Sequence, residues 1–100
     1  QIMHGAVLNH CQISRYAIIN SGAVVEHNVV IGEHCHIAPG AVICGDVEIA
    51  DEVHVGAGAT IIQGVKIGAN TVIGAGATIT QDIPANKIVY PARPFIAERK

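Results

Sequence analysis

An aliphatic residue recurs at every sixth position of this sequence, and that period limits the chain to very few folds. Steps of six from Val7 to Ile79 meet thirteen positions, and every one of them is Ile or Val. Ile and Val together make up 28 of the 100 residues, so this agreement is far beyond chance. Six is a multiple of the two-residue period of a strand and not of the 3.6-residue period of a helix. The repeat therefore predicts a series of short strands.

A column of small residues accompanies the aliphatic column, two positions earlier, from Gly5 to Ala77. A single six-residue unit cannot bury its own aliphatic side chain, so we expect three units to close a triangular coil in which Ile stacks on Ile of the next coil. Stacked residues then lie three repeats apart. Four glycines with this spacing fit corners that need an unusual backbone conformation: Gly22, Gly40, Gly58 and Gly76. The sequence thus predicts an all-β solenoid.

Charge, hydropathy and cysteine content exclude several classes of partner. The net charge is −2 and the six Lys and Arg residues are scattered, which predicts no nucleic-acid partner. Every apolar stretch is interrupted by Gly, Asn, His or a charged residue, so we expect no membrane-spanning segment. The three cysteines form no CxxC pair, which predicts reduced thiols and a cytoplasmic location.

The end of the sequence departs from the repeat. We expect the coils to occupy residues 1–84 and a capping segment to occupy residues 85–100, because the letters IPAN at 83–86 break the pattern and later prolines disfavour further sheet. The last residues, from Pro94 onward, have Pro in a first helical turn and are expected to form a short helix over the open end of the coils. No comparable cap precedes Gln1, which suggests that a further segment is missing there.

Three stretches resemble one family of acyltransferases. Residues 20–27 (NSGAVVEH), 31–40 (IGEHCHIAPG) and 58–94 are similar to the sialic-acid O-acetyltransferases and nucleotide-sugar N-acetyltransferases. The resemblance implies the left-handed parallel β-helix of the hexapeptide-repeat acyltransferases, with a short C-terminal capping segment. It also implies transfer of an acetyl group from acetyl-CoA to an amine or hydroxyl of a sugar or nucleotide-sugar.

The same resemblance implies a set of catalytic residues. The family's general base is a histidine after Val-Glu, which corresponds to His27, and a neutral imidazole can take the acceptor's proton. Asn20 matches the asparagine that orients this site. The family usually has a carboxylate immediately after the base, whereas this chain has Asn28. We therefore expect a weaker base unless Glu26 or Asp46 supplies the missing charge.

Further positions correspond to the family's contacts with acetyl-CoA. His36 matches a histidine that contacts the coenzyme, and Ala57 and Ala75 match positions whose backbone groups hold its pantetheine arm. Gly45 follows His27 by three repeats, so we expect it one coil above, with its backbone N–H placed to hydrogen-bond the thioester oxygen.

The spacing of the two histidines predicts an oligomer. His27 and His36 are one and a half repeats apart, which is half a coil, so they point from different sides of one prism. A shared site requires one chain to face a neighbour, and the homotrimers of the resembled family supply that arrangement. The family's N-terminal Rossmann-like domain, which holds the nucleotide-sugar, is absent from these residues.

Two alternatives remain open. A metal site would use histidines such as His34, His36 and His54, but Cys11 and Cys35 fall in the inward column, where thiols act as small apolar groups, so no metal is predicted. An inactive or assembly-only trimeric solenoid would show the same aliphatic repeat. Asn28 and the missing front domain keep this second alternative open, whereas Glu26, His27 and Asn20, whose polarity the core does not require, argue against it.

Overall fold

The computed structural model describes residues 1–91, and these residues form a three-walled coil of short parallel strands. The strands are β1 (Val7–Leu8), β2 (Gln12–Ile13), β3 (Ile18–Ile19), β4 (Val24–Val25), β5 (Val30–Ile31), β6 (His36–Ile37), β7 (Val42–Ile43), β8 (Glu48–Ile49), β9 (His54–Val55), β10 (Thr60–Ile61), β11 (Lys66–Ile67), β12 (Val72–Ile73), β13 (Thr78–Ile79) and β14 (Ile88–Val89). No helix of residues 1–91 has the length and apolar character needed to cross a bilayer. The prediction of an all-β solenoid is confirmed.

Each strand pairs with the strand one coil away, and this pairing builds three walls. Wall 1 contains β1, β4, β7, β10 and β13; wall 2 contains β2, β5, β8 and β11; wall 3 contains β3, β6, β9, β12 and β14. The chain runs from wall 1 to wall 2 to wall 3 and back again, through about five coils. We call the turn from wall 1 to wall 2 corner 1, the turn from wall 2 to wall 3 corner 2, and the turn from wall 3 to wall 1 corner 3.

The core consists of the two columns that the sequence predicts. The aliphatic residues from Ile19 to Ile79 are buried, and so are the small residues from Ala17 to Ala77. Burial of one aliphatic side chain of this size is worth about 1.5–3 kcal/mol. The stacked columns therefore hold the coils together without an aromatic core.

The first coil is one residue shorter than the repeat requires. Ile13 pairs with Ile31, a full three repeats later, whereas Leu8 pairs with Val25, one position short of that step. One residue is therefore missing from corner 1 of this coil. Because neighbouring strand residues face opposite sides, Val7 is 55% exposed and Leu8 packs against the core instead. The expected inward position of Val7 is wrong for this reason.

Glycines line corner 3 as expected. Gly22, Gly40, Gly58 and Gly76 have φ angles of 72°, 72°, 68° and 75°, a left-handed conformation that glycine adopts without steric cost. Gly5 extends this column with a φ of 85°, although it precedes the next glycine by one position less than three repeats. Ala6 therefore packs against the core where the repeat would place Gly5, so the expected inward position of Gly5 is also wrong.

The coil continues beyond residue 84, where the sequence predicts its end. Ile83 bridges to Ile67, and β14 pairs with β12. The step from Ile79 to Ile83 is shorter than a full repeat. Corner 1 of this last coil is therefore shortened, as it is in the first coil. The helix expected from Pro94 onward lies outside the described residues.

Candidate functional site

His27 is exposed in corner 1, between β4 and β5. Its backbone carbonyl accepts a hydrogen bond of 2.9 Å from the N–H of Asp46 in the next coil, which holds the corner in place. Its imidazole stacks on the ring of His10, with the centroids 5.7 Å apart and 15° between the planes. The side-chain nitrogen Nδ2 of Asn9 lies 2.8 Å from Nε2 of His27. The imidazole is therefore positioned from below by the first coil.

The sequence analysis missed Asn9 and His10 as neighbours of His27. A signal was available, because Asn9 precedes His27 by three repeats, the same step that places Gly45 above it. The stacked ring of His10 depends on the shortened corner of the first coil, which the repeat alone does not reveal.

Gly45 lies directly above His27, as the spacing of three repeats predicts. A Cβ added to Gly45 would lie 3.5 Å from the carbonyl oxygen of His27, an ordinary contact distance. The carbonyl of Gly45 accepts a hydrogen bond from the N–H of Gly64. Its own N–H has no acceptor among residues 1–91. In the described residues, a free backbone donor thus lies one coil above His27 in the same corner.

The carboxylate of Asp46, one coil above Asn28, is held by two amide side chains. Nδ2 of Asn28 donates to Oδ1 of Asp46 at 3.3 Å, and Nε2 of Gln63 donates to the other oxygen of Asp46 at 3.4 Å. Within residues 1–91, no Asp or Glu oxygen approaches a ring nitrogen of His27 to 4.0 Å. Neither Glu26 nor Asp46 therefore supplies, within one chain, the charge that Asn28 lacks.

A second group of polar residues lies on wall 3. Nδ2 of Asn20 is 2.6 Å from Nε2 of His36 and also donates to the carbonyl of Ile37 at 3.2 Å. His54 follows one coil above, with its ring centroid 4.7 Å from that of His36. Burial, and secondly the neighbouring His36, lower the pKa of His54. Asn20 thus contacts His36 and not His27.

Two turns of corner 3 with small residues, at 56–58 and 74–76, form a ridge beside this second group. Ala57 and Ala75 are both exposed in consecutive coils, and the N–H of Gly76 donates to the carbonyl of Ala57 at 2.8 Å. Gly56 has no room for a side chain, because an added Cβ would lie 2.5 Å from the backbone nitrogen of Ala75. Both coils carry a Gly-Ala-Gly turn here, so a ligand can approach the backbone closely.

The structure sorts the predicted site residues into two separate groups. The corner 1 group contains Glu26, His27, Asn28 and Gly45, and the wall 3 group contains Asn20, His36, Ala57 and Ala75. The outer face of wall 1 separates them within a chain, and its middle coils present Val24, Val42 and Thr60. One chain therefore does not bring the two groups together.

The histidines and cysteines form no metal centre in the described part of the chain. No group of three His, Cys, Asp or Glu side chains that could hold a metal ion occurs in residues 1–91. All three cysteines are free thiols, and Cys35 is buried with its Sγ donating to the carbonyl of Ala50 at 3.0 Å. Burial raises the pKa of the Cys35 thiol, so it stays protonated as a small core residue.

Comparison with known families matches the repeat directly. The family model for bacterial transferase hexapeptides, which describes six repeats, matches residues 10–45 and again residues 46–81. The chain belongs to the hexapeptide-repeat transferases. Membership confirms the left-handed parallel β-helix and the resemblance that the sequence motifs indicate.

Solved hexapeptide-repeat structures share this fold. PerB from Caulobacter crescentus, in complex with CoA and GDP-perosamine, is 32% identical with a TM-score of 0.73 over 89% of this chain and 49% of PerB. Serine acetyltransferase isoform 3 from Entamoeba histolytica, in complex with cysteine, is 28% identical with a TM-score of 0.75 over 98% of this chain and 37% of that protein. An acetyltransferase from Vibrio cholerae O1 biovar eltor, complexed with acetyl coenzyme A, shares the fold at 22% identity, with a TM-score of 0.71 over 89% of this chain and 59% of its own.

The hexapeptide-repeat chain spans only part of these proteins, about half the length of PerB. Among curated proteins, none matches its sequence.

Proposed function

We propose that this chain is the acetyl-transferring β-helix of an acetyl-CoA-dependent acetyltransferase, and that it works as a homotrimer in the cytoplasm on an amine or hydroxyl of a sugar or nucleotide-sugar. One observation carries the proposal: Gly45, whose N–H has no backbone acceptor among residues 1–91, lies one coil above His27, whose imidazole is exposed. A proton acceptor and an oxyanion donor are the two groups that acetyl transfer requires.

His27 acts as the general base in this proposal. Acetyl-CoA supplies an acetyl group activated as a thioester. As the acceptor's nitrogen or oxygen bonds to the acetyl carbon, its proton passes to a ring nitrogen of His27, and the carbon–sulfur bond breaks with the proton returning to the departing sulfur. The N–H of Gly45 is the donor for the negative charge that develops on the thioester oxygen.

The wall 3 group fits the coenzyme. The carbonyl of Ile37 fixes which end of the Asn20 amide is the donor, so Nε2 of His36 is an acceptor and its ring hydrogen sits on Nδ1. This Nδ1–H remains available to hydrogen-bond a polar group of the coenzyme. The Gly-Ala-Gly ridge at Ala57 and Ala75 leaves backbone groups open to an extended chain such as pantetheine.

A trimer supports catalysis because it joins groups that a single chain keeps apart. The base lies at one edge of wall 1 and the coenzyme residues lie at the other edge. A ring of three copies brings the corner 1 group of each chain to the wall 3 group of its neighbour. The outward Val24 and Val42 on wall 1 provide apolar surface for such a contact.

Two acceptor classes follow from the solved relatives. PerB was crystallised with GDP-perosamine, which supports a nucleotide-linked sugar. The serine acetyltransferase from Entamoeba histolytica, at 28% identity, supports an amino-acid hydroxyl as the second candidate. We favour the sugar, because PerB has the higher sequence identity and the NSGAVVEH stretch resembles the sugar-modifying enzymes.

Three variants test the proposal with acetyl-CoA and either a nucleotide-linked amino sugar or serine as acceptor. His27→Ala is expected to slow release of CoA by about 10²–10⁴-fold while calorimetric binding of acetyl-CoA persists. His36→Ala is expected to weaken that binding. His34→Ala, which removes an exposed histidine in corner 2, is the matched control and is expected to change neither property.

Unchanged turnover in His27→Ala would remove this residue as the base. The second candidate function, an assembly-only solenoid, is favoured by the absence of a carboxylate within 4.0 Å of His27 in the described residues. It predicts a stable trimer that shows no saturable heat with acetyl-CoA, which separates it from the enzyme.

A further inference from the structure

The short first coil brings two neighbouring residues, Asn9 and His10, beneath His27. In the second coil, corner 1 runs from Val25 to Ile31 and contains both Glu26 and His27 before the left-handed residue Asn28. The first coil has one residue fewer, so Asn9 is followed at once by the left-handed His10.

Asn9 keeps the regular step of three repeats to His27, although the first coil is short. The carbonyl of His10 accepts the N–H of Asn28 at 3.0 Å, which places His10 under the middle of the corner. The side chain of Asn9, one residue earlier, extends to the imidazole of His27. The first coil thus brings an amide group to a ring nitrogen of the proposed base.

The atoms in this contact determine its chemistry. The nitrogen of an Asn side chain is only a donor, so the Nε2 atom that it meets at 2.8 Å is the acceptor. A neutral imidazole with an acceptor at Nε2 carries its hydrogen on Nδ1. The contact therefore selects one of the two tautomers of His27.

No other described group competes for the ring nitrogens of His27. His10 stacks on the ring face and makes no hydrogen bond to it in residues 1–91. The amide of Asn28 is directed to Asp46, whose other oxygen accepts from Gln63. Asn9 is thus the single side chain of the described residues that hydrogen-bonds this imidazole.

We propose that Asn9 is a positioning residue that holds the neutral His27 imidazole with its hydrogen on Nδ1, keeps Nε2 as the basic nitrogen, and occupies the acceptor's place until an acceptor displaces it. The inference rests on the proposed role of His27 as general base. The donor of Asn9 stands where the N–H or O–H of an acceptor must lie, because that group also has to donate to Nε2.

Imidazole ¹⁵N chemical shifts of His27 in the full chain, measured where the ring is neutral, test the tautomer without any substrate. Wild-type protein is expected to show the Nδ1–H form, and Asn9→Ala a mixture of both forms. Asn9→Asp is expected to show the Nε2–H form, because a carboxylate is only an acceptor. His10→Ala is the matched control, since it removes the stacked ring and leaves the amide contact, and is expected to retain the wild-type tautomer.

His27 shifts that are the same in wild type, Asn9→Ala and Asn9→Asp would overturn the inference. The near-isosteric Asp variant keeps the test valid should the Ala variant disturb the first coil. This measurement is independent of turnover, so an inactive wild-type protein would overturn the proposed function and not the role of Asn9.

Steady-state kinetics add a second readout. Asn9→Ala is expected to lower the KM of the acceptor by about two- to tenfold. This fold-change corresponds to the net free energy of the one hydrogen bond that competes with the acceptor. The same variant is expected to leave kcat nearly unchanged, because in the bound state the acceptor has already displaced Asn9 and itself donates to Nε2. A higher KM for the acceptor would contradict displacement of Asn9 by the substrate.

Discussion

Nδ2 of Asn28 donates a hydrogen bond to Oδ1 of Asp46, at 3.3 Å, from one coil of corner 1 to the next. Both residues have left-handed backbone conformations, with φ angles of 60° and 61°. Asn and Asp tolerate this conformation better than most residues. The pair therefore suits the corner, and it directs the carboxylate of Asp46 away from His27.

Asn28→Asp is expected to lower stability without raising activity. The change replaces a hydrogen-bond donor by a carboxylate and places it against Asp46. Loss of one exposed hydrogen bond and the repulsion of two exposed charges cost about 0.5–1 kcal/mol together. Protonation of either carboxylate removes the repulsion, so part of the lost stability is expected to return at acidic pH. Urea unfolding at neutral and at acidic pH measures the loss in the free energy of unfolding and its partial return.

The exchanged pair is the control for that experiment. Asn28→Asp combined with Asp46→Asn restores one donor and one acceptor, so stability is expected to return to near the wild-type value. A gain in turnover in Asn28→Asp alone would show that the new carboxylate reaches His27 and would contradict this geometry.

Gly45→Ala is expected to lower acetyl transfer and preserve the fold. The added methyl group would lie 3.5 Å from the carbonyl of His27, so the coil has room for it. In the proposed mechanism the same methyl group lies beside the N–H of Gly45 and hinders the approach of the thioester oxygen. We expect the free energy of unfolding to change by less than about 0.5 kcal/mol, and the rate of CoA release to fall.

Gly56→Ala is the matched comparison in another corner. Its methyl group would lie 2.5 Å from the backbone nitrogen of Ala75, so the coil above must move. We expect a loss of about 1–3 kcal/mol in the free energy of unfolding, the range for overpacking. Equal stability of the two Ala variants would contradict the packing described here.

Acidification is expected to destabilise the folded chain in part through His54. Burial and the adjacent His36 lower its pKa below the ordinary value of 6.5. The unfolded chain therefore binds more protons between the two pKa values, so the free energy of unfolding falls as the pH decreases below about 6.5. His54→Gln cannot be protonated and should flatten this dependence between about pH 5 and pH 8. His34→Gln, at an exposed position of corner 2, is the control and should leave the dependence through His54 in place.

Thr71→Val is expected to loosen the last coil. The buried hydroxyl of Thr71 donates to the carbonyl of Pro84 at 3.2 Å and accepts from the N–H of Lys87 at 3.4 Å. The isosteric Val leaves both groups without this partner, which costs about 1–3 kcal/mol. Hydrogen exchange should accelerate first in β14. Thr78→Val, on the exposed face of wall 1, is the control and should change stability little.

The repeat predicts the central coils well and the terminal coils less well. Counting by six assumes that every corner has the same length, which holds from Ile13 to Ile79. Val7 and Leu8 are both apolar, so residue type could not show which of them faces inward. The pairing of Leu8 with Val25 decides this, and it depends on a backbone path that no periodicity contains.

In the candidate site, too, the repeat predicts which residues stack, but it does not predict the contacts that depend on side-chain direction. The step of three repeats places Gly45 above His27 and His54 above His36, because stacking follows from coil length alone. The contact of Asn20 with His36 depends on the direction of a side chain at corner 3, which the step does not determine.

Within residues 1–91, each strand pairs only with the strands one coil above and below it, so the stability of the molecule is built up coil by coil. Stability in such an array spreads from neighbour to neighbour. We therefore expect the terminal coils to fray while the middle persists, and a severe defect in a central coil to divide the chain into two blocks that melt separately.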